Sequence, residues 1–313
     1  PGQERRGVAA VPRFVDEVEQ CYGVRPDFVD HEVLAAAHRR LDAVLPGSGP
    51  LAARYDAWRS SHIMTAAQLT SAVHALAEAF REKTQAQFGL PEGEHVAFEL
   101  VTNEPWSGFN YYEGGLRSRV AINTDLPVSS TSIGHLIAHE AYPGHHTEHC
   151  RKEVGLVRQR RQLEESIFLV GTPQCLLAEG LADLALEVLL GEDPEPQLAE
   201  LLHPLGIRYD TEVVAAVAEA GEALGAVRGN AALILHDRGG SEDDAVEELS
   251  RWALLPRDRA AKSVTFLTDP TWRAYIFCYV AGLPRCRGFV GGDPARFERL
   301  LTEQFTPADL VAV

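Results

Sequence analysis

The chain has 313 residues, enough to bury a substantial core as one large domain or as two lobes that share a cleft. Apolar residues at 45% and charged residues at 24% exclude collagenous, low-complexity and wholly disordered classes, and no apolar run approaches the roughly 20 residues of a membrane span. The net charge of −16, without a basic stripe, argues against nucleic acid or an anionic membrane as a partner.

Residues 1–94 read as a helical N-terminal region. Apolar residues recur at helical spacing from Val33 to Leu45 and again from Ala66 to Phe88, with Pro46-Gly47-Ser48-Gly49-Pro50 between them. Residues 95–313 read as a second region, continuous with the first. It begins with alternation over His95–Val101, followed by Phe109–Tyr112 and Arg117–Asn123 flanking Glu113-Gly114-Gly115 in a hairpin-like pair. These stretches predict a small antiparallel sheet. On its last strand Val120 and Ile122 share one face, while Arg117, Arg119 and Ala121 share the other.

Beyond Pro127 the pattern is helical almost to the end. Ser129 to Ser132 is expected to cap a helix running through His139, and Thr172-Pro173 to open one that Gly191 closes. Gly239-Gly240-Ser241 precedes another through Trp252, with Glu242, Asp243 and Asp244 in its first turn, and two more follow Pro270 and Pro294. The predicted class is mainly α (α+β), with the sheet immediately before the helix that carries the chemistry.

Cys21, Cys150, Cys175, Cys278 and Cys286 are odd in number, scattered and without CxxC spacing, so they read as reduced thiols of a cytoplasmic protein. No basic head joined to an apolar segment and a cleavage site is visible, and a chain beginning at Pro1 is expected to be a processed or partial product.

The densest chemistry lies in His135-Leu-Ile-Ala-His139-Glu140-Ala-Tyr-Pro143-Gly144-His145-His146-Thr-Glu-His149. Neutral imidazoles can hold a Lewis-acidic metal, and an adjacent carboxylate can take a proton from attacking water. In an HExxH helix the second histidine returns to the same face four residues on, but here that position is Pro143. Pro143-Gly144 therefore reads as a break that could swing His145 or His146 back beside His139. A third ligand is expected from Glu179 or Asp183, one helical turn apart on the otherwise apolar stretch Leu176–Leu190, where a carboxylate is costly unless paired or metal-bound.

These residues resemble a bacterial family known as domain of unknown function 885, which carries HExxPGHH and is related to zinc metallopeptidases. The likeness spans roughly residues 95–310. It covers Gly108-Phe-Asn-Tyr-Tyr-Glu-Gly-Gly-Leu-Arg-Ser-Arg, His139–His146, Glu179-Gly-Leu-Ala, Asn230–His236 and Tyr279-Val-Ala-Gly282. It implies a helical zincin-like architecture binding one Zn2+ ion, or another divalent metal in its place. The implied ligands are His139, one of His145 and His146, and Glu179, with Glu140 as the catalytic carboxylate. Gly144-His145 is similar to the Gly-His that ends the motif of related helical carboxypeptidases, which favours His145 and leaves His146 to bond substrate or a ligand. Leu181 departs from the aromatic residue that often follows Glu-Gly in the family.

Two phenols one turn apart, Tyr275 and Tyr279, could serve the substrate, and Tyr279 fits the family's Tyr-x-x-Gly as the donor to a developing oxyanion. Arg117 or Arg119 could fork onto a substrate carboxylate. The aromatic run Trp106, Phe109, Tyr111 and Tyr112 could line a cleft or pack the sheet. His135 and His149 read as surface residues and Cys175 as core. The sequence thus points to a zinc-dependent hydrolase of a small peptide or amide, peptidase or carboxypeptidase in type. The alternatives are an iron-type oxidative or lyase enzyme on the same ligands, or a non-catalytic metal-binding protein.

Overall fold

The structure is a computed structural model that describes residues 12–104 and 106–310, so Pro1 and the reading attached to it lie outside the described residues. Four helices come first: α1 (Phe14–Tyr22), α2 (His31–Val44), α3 (Leu51–Ser61) and α4 (Ala66–Gln87). Asp30 caps α2 by accepting from the amide of Glu32, and Thr65 and Gln68 close a reciprocal capping box on α4. Leu69, Ala72, Val73, Leu76 and Phe80 then bury one stripe of α4. Helix α3 buries no residue, which is why apolar spacing does not announce it.

Three strands follow, β1 (His95–Val101), β2 (Gly108–Gly114) and β3 (Arg117–Asn123), in the order β1-β3-β2. The hairpin-like pair is antiparallel, but β1 runs parallel to β3, so the sheet is mixed and not antiparallel throughout. The reason lies in β3: Val120, Ala121 and Ile122 are its buried centre, and placing it between two neighbours pairs both of its edges. Gly114 and Gly115 take the positive φ values that the β2–β3 turn requires.

The rest is helical: α5 (Ile133–Glu140), α6 (His145–Lys152), a π-helical stretch Glu153–Gln159, α7 (Pro173–Leu190), α8 (Glu195–Leu202), α9 (Thr211–Gly225), α10 (Val227–His236), α11 (Glu242–Trp252), α12 (Arg257–Thr268), α13 (Ile276–Val290) and α14 (Pro294–Thr302). Thr172 caps α7 through the amide of Cys175 and Gly191 ends it, while Ser241 and Asp244 form the capping box of α11. The predicted cap of α5 is looser, since Ser132 makes no side-chain cap bond. Helix α7 is buried nearly all round, packed by α5, α13, α1, α6 and α14, and so runs through the middle of the molecule. One apolar cluster extends from Phe14 to Leu310. Among the described residues no helix is long and apolar enough to cross a membrane.

Candidate metal centre

Helix α5 stops at Glu140 and α6 starts at His145, with the cis Tyr142–Pro143 bond between them. The Gly144 amide bonds the carbonyl of Ala138 at 2.9 Å. A Cβ on Gly144 would lie 2.0 Å from the His139 carbonyl oxygen and 2.4 Å from that of Ala138. Only glycine permits this approach, and it brings the start of α6 against the end of α5. The rings of His139 and His145 meet edge to face, 4.7 Å between centroids, six residues apart in sequence.

Glu179, inside α7, faces both imidazoles. Its Oε2 lies 3.4 Å from Nε2 of His139 and its Oε1 3.6 Å from Nε2 of His145. Donor atoms held 2.0–2.2 Å from a tetrahedral ion stand about 3.3–3.6 Å apart, so these separations are compatible with holding one ion. All three residues are largely withdrawn from solvent; the side chains of His139, His145 and Glu179 are 11%, 12% and 8% exposed. Oε2 of Glu179 has no hydrogen-bond partner despite its burial. An orphaned carboxylate oxygen beside the His139 imidazole, with the other oxygen of the same group facing His145, fits a divalent cation, and three protein donors would leave a fourth position for water or substrate.

The surrounding groups orient this set. Asp183, one turn beyond Glu179, bonds Nδ1 of His139 at 2.9 Å and turns Nε2 of that ring toward Glu179. His135 comes within 3.6 Å of Asp183, so His135, His139 and Asp183 form a second group of donors. Its His139 atom is already engaged and its His135 side chain is half exposed, so the His139, His145 and Glu179 set is the better site. The Asn110 side-chain amide donates to the Glu140 carbonyl at 2.6 Å and fixes the end of α5. Tyr275 donates to Oε1 of Glu179 at 2.8 Å.

Charge at the site follows this geometry. Burial works to lower the His139 pKa, yet the bond to Asp183 and the nearby carboxylate of Glu179 hold it well above the ordinary value. Burial works to raise that of Glu179, yet the neighbouring His139, the charge of His145 and the Tyr275 phenol bring it down to about 2. The Glu140 carboxyl is raised, chiefly by burial and against the pull of His139 and His145. A Cβ on Gly108 would meet Glu140 Oε1 at 3.4 Å and Leu136 at 2.8 Å, so the start of β2 runs directly against that carboxylate.

Several expected roles need correction. His146 does not reach the site: it is fully buried, with Nε2 on Glu94 at 2.8 Å and Nδ1 on the Ser118 hydroxyl at 2.8 Å, so it ties α6 to the sheet and to the loop before β1. Arg119 is not a free fork, because it pairs with Glu99 and Glu113 and lies 4.1 Å over the Tyr111 ring. Arg117 sits on the exposed end of β3, opposite His95 and Gly114, while the other end of the strand pairs with Gly108, which meets Glu140. The phenol of Tyr275 is spent on Glu179 and so steadies a ligand, which leaves Tyr279, ring centroid 5.5 Å away and 41% exposed, as the phenol facing open space. Tyr112 binds Glu153 and stacks on His149, whose pKa burial lowers to about 4. Sequence patterns did not single out Asn110 or Glu94 as partners of these groups.

No family model matches the chain, and no curated protein matches it. Among solved structures it is similar to a putative lipoprotein from Colwellia psychrerythraea, with a TM-score of 0.67 at 16% identity, over 95% of this chain and 53% of that one. The likeness is one of fold, and the chain spans about half the length of that protein.

Proposed function

We propose that the protein is a zinc-dependent hydrolase of peptide or amide bonds, and that it is a member of the domain of unknown function 885 family. The observation that carries the reading is the convergence of His139 Nε2 and His145 Nε2 on the two oxygens of the Glu179 carboxylate at ligand spacing. Zinc held by these three would polarise a carbonyl and acidify water. Glu140, buried beside the set with a raised pKa, takes the proton of the attacking water and passes it to the departing nitrogen. The amide C–N bond breaks as the water oxygen joins the acyl carbon. Tyr279 donates to the oxygen on which negative charge develops, and Asp183 and Tyr275 hold His139 and Glu179 in place. The donor set of two imidazoles and a carboxylate supports zinc over a harder cation. The five cysteines, all free thiols, support a reducing and hence cytoplasmic setting.

The test is hydrolysis of a random hexapeptide mixture by zinc-loaded protein, read by mass spectrometry, against Glu140→Gln. The wild type cleaves, while the variant keeps its zinc and loses about 100-fold or more in rate. Full activity in Glu140→Gln removes the proton-transfer role, and a zinc-loaded wild type without turnover removes the hydrolase.

A further inference from the structure

Next to the metal centre lies a cleft of about 900 Å³. His135, Asp183 and Tyr279 line it on the side of the metal centre, and Tyr55, Trp58 and Val217 contribute to its largely apolar wall. Two cations, Arg40 of α2 and Arg228 of α10, also line it. Both side chains are exposed at the cleft, and among the described residues neither makes an ion pair or a side-chain hydrogen bond. The acids of the cleft do not supply one: Asp183 is bound to His139, Glu222 is taken by Arg287 at 2.6 Å, and Glu219 faces solvent on α9 without an ion pair.

Arg228 lines the same cleft as Tyr279, and its neighbour Gly229 packs against Val280, next to Tyr279, whose ring is one turn from the phenol that holds Glu179. A planar fork of donors in the same cleft as Asp183 and Tyr279 is suited to a carboxylate that enters with the substrate.

We propose that Arg228, assisted by Arg40, receives the free carboxylate of the substrate, so that the site cleaves the last amide bond of a peptide or of an N-acyl amino acid. The inference rests on the hydrolase reading and names the substrate class of that site. It also moves carboxylate recognition from the strand arginines Arg117 and Arg119 to the helical side of the cleft.

The experiment uses zinc-loaded Glu140→Gln protein and two probes, N-benzoylglycyl-phenylalanine and its C-terminal amide, with binding followed by the fluorescence of Trp58 in the cleft wall. The free acid is expected to bind about tenfold or more tightly than the amide, and adding Arg228→Gln is expected to bring the ratio close to one. Arg228→Lys should keep part of the preference, and circular dichroism should show both variants folded. Equal binding of acid and amide, binding of neither, or a preference that survives Arg228→Gln overturns the assignment. Cleavage of both probes alike by the wild type overturns it while leaving the hydrolase intact. Selective binding of the acid without any cleavage by the wild type supports the carboxylate site and sinks only the hydrolase.

Discussion

Gly180 and Gly282 lie so close that a Cβ on the first would stand 2.3 Å from the carbonyl carbon of the second. Helices α7 and α13 cross at this point with no side chain between them. Glu179 immediately precedes Gly180, and Tyr279 comes one turn before Gly282. The close crossing is therefore what carries the phenol of Tyr275 to within 2.8 Å of the Glu179 carboxylate.

Gly180→Ala should accordingly cost stability and metal together. The added methyl has backbone on its far side, which cannot give way as a flexible side chain would. Overpacking of this kind costs about 1–3 kcal/mol, and it should separate Tyr275 from Glu179. Thermal melts with and without zinc measure both effects. A variant with an unchanged melting temperature and unchanged zinc affinity would refute the link.

Asp183→Asn keeps the shape of the side chain and removes its charge. With the partner of His139 Nδ1 weakened, zinc affinity should fall by about 10–100-fold while helix content stays the same. Competition with a chromophoric chelator reads the affinity. An unchanged value would mean that Asp183 does not orient the ring.

Acid should loosen the joint between α6 and the sheet. Burial lowers the pKa of His146, with Glu94 only partly offsetting it, so below about pH 6.5 the unfolded chain binds a proton that the folded one resists. Burial works to raise the pKa of Glu94, but His146, Tyr142 and Arg81 hold it below the ordinary value, so its contribution is lost at still lower pH, below about 4.3. Both contributions are present at neutral pH and fade as it falls. The melting temperature of metal-free protein should drop between pH 7.5 and pH 5, and His146→Gln should flatten that slope. Equal slopes in the two proteins would count against His146 as the titrating group.

Much of the fold was legible because its signals are local. Thr172-Pro173, Gly191 and Ser241 act on their own helices, and each stands where its chemistry places it. The direction of β1 was not legible, since alternation shows that a strand exists and not which way its neighbour runs. For the site, a histidine pair broken by Pro143-Gly144 and a carboxylate in an apolar helix could be read from residue types. The companions could not: Asp183 meets His139 across 44 residues, Asn110 meets Glu140 across 30, and His146 meets Glu94 across 52. Arg119 looked available for substrate because nothing in sequence marks Glu99 as its partner; the β1–β3 register brings them together.

The most direct measurement is the zinc content of purified, zinc-exposed protein and of His139→Ala and Glu179→Gln, by mass spectrometry of intact chains under native conditions. One zinc per wild-type chain and none in either variant is the predicted result. Equal zinc in all three, or none in the wild type, would contradict a centre built on His139, His145 and Glu179.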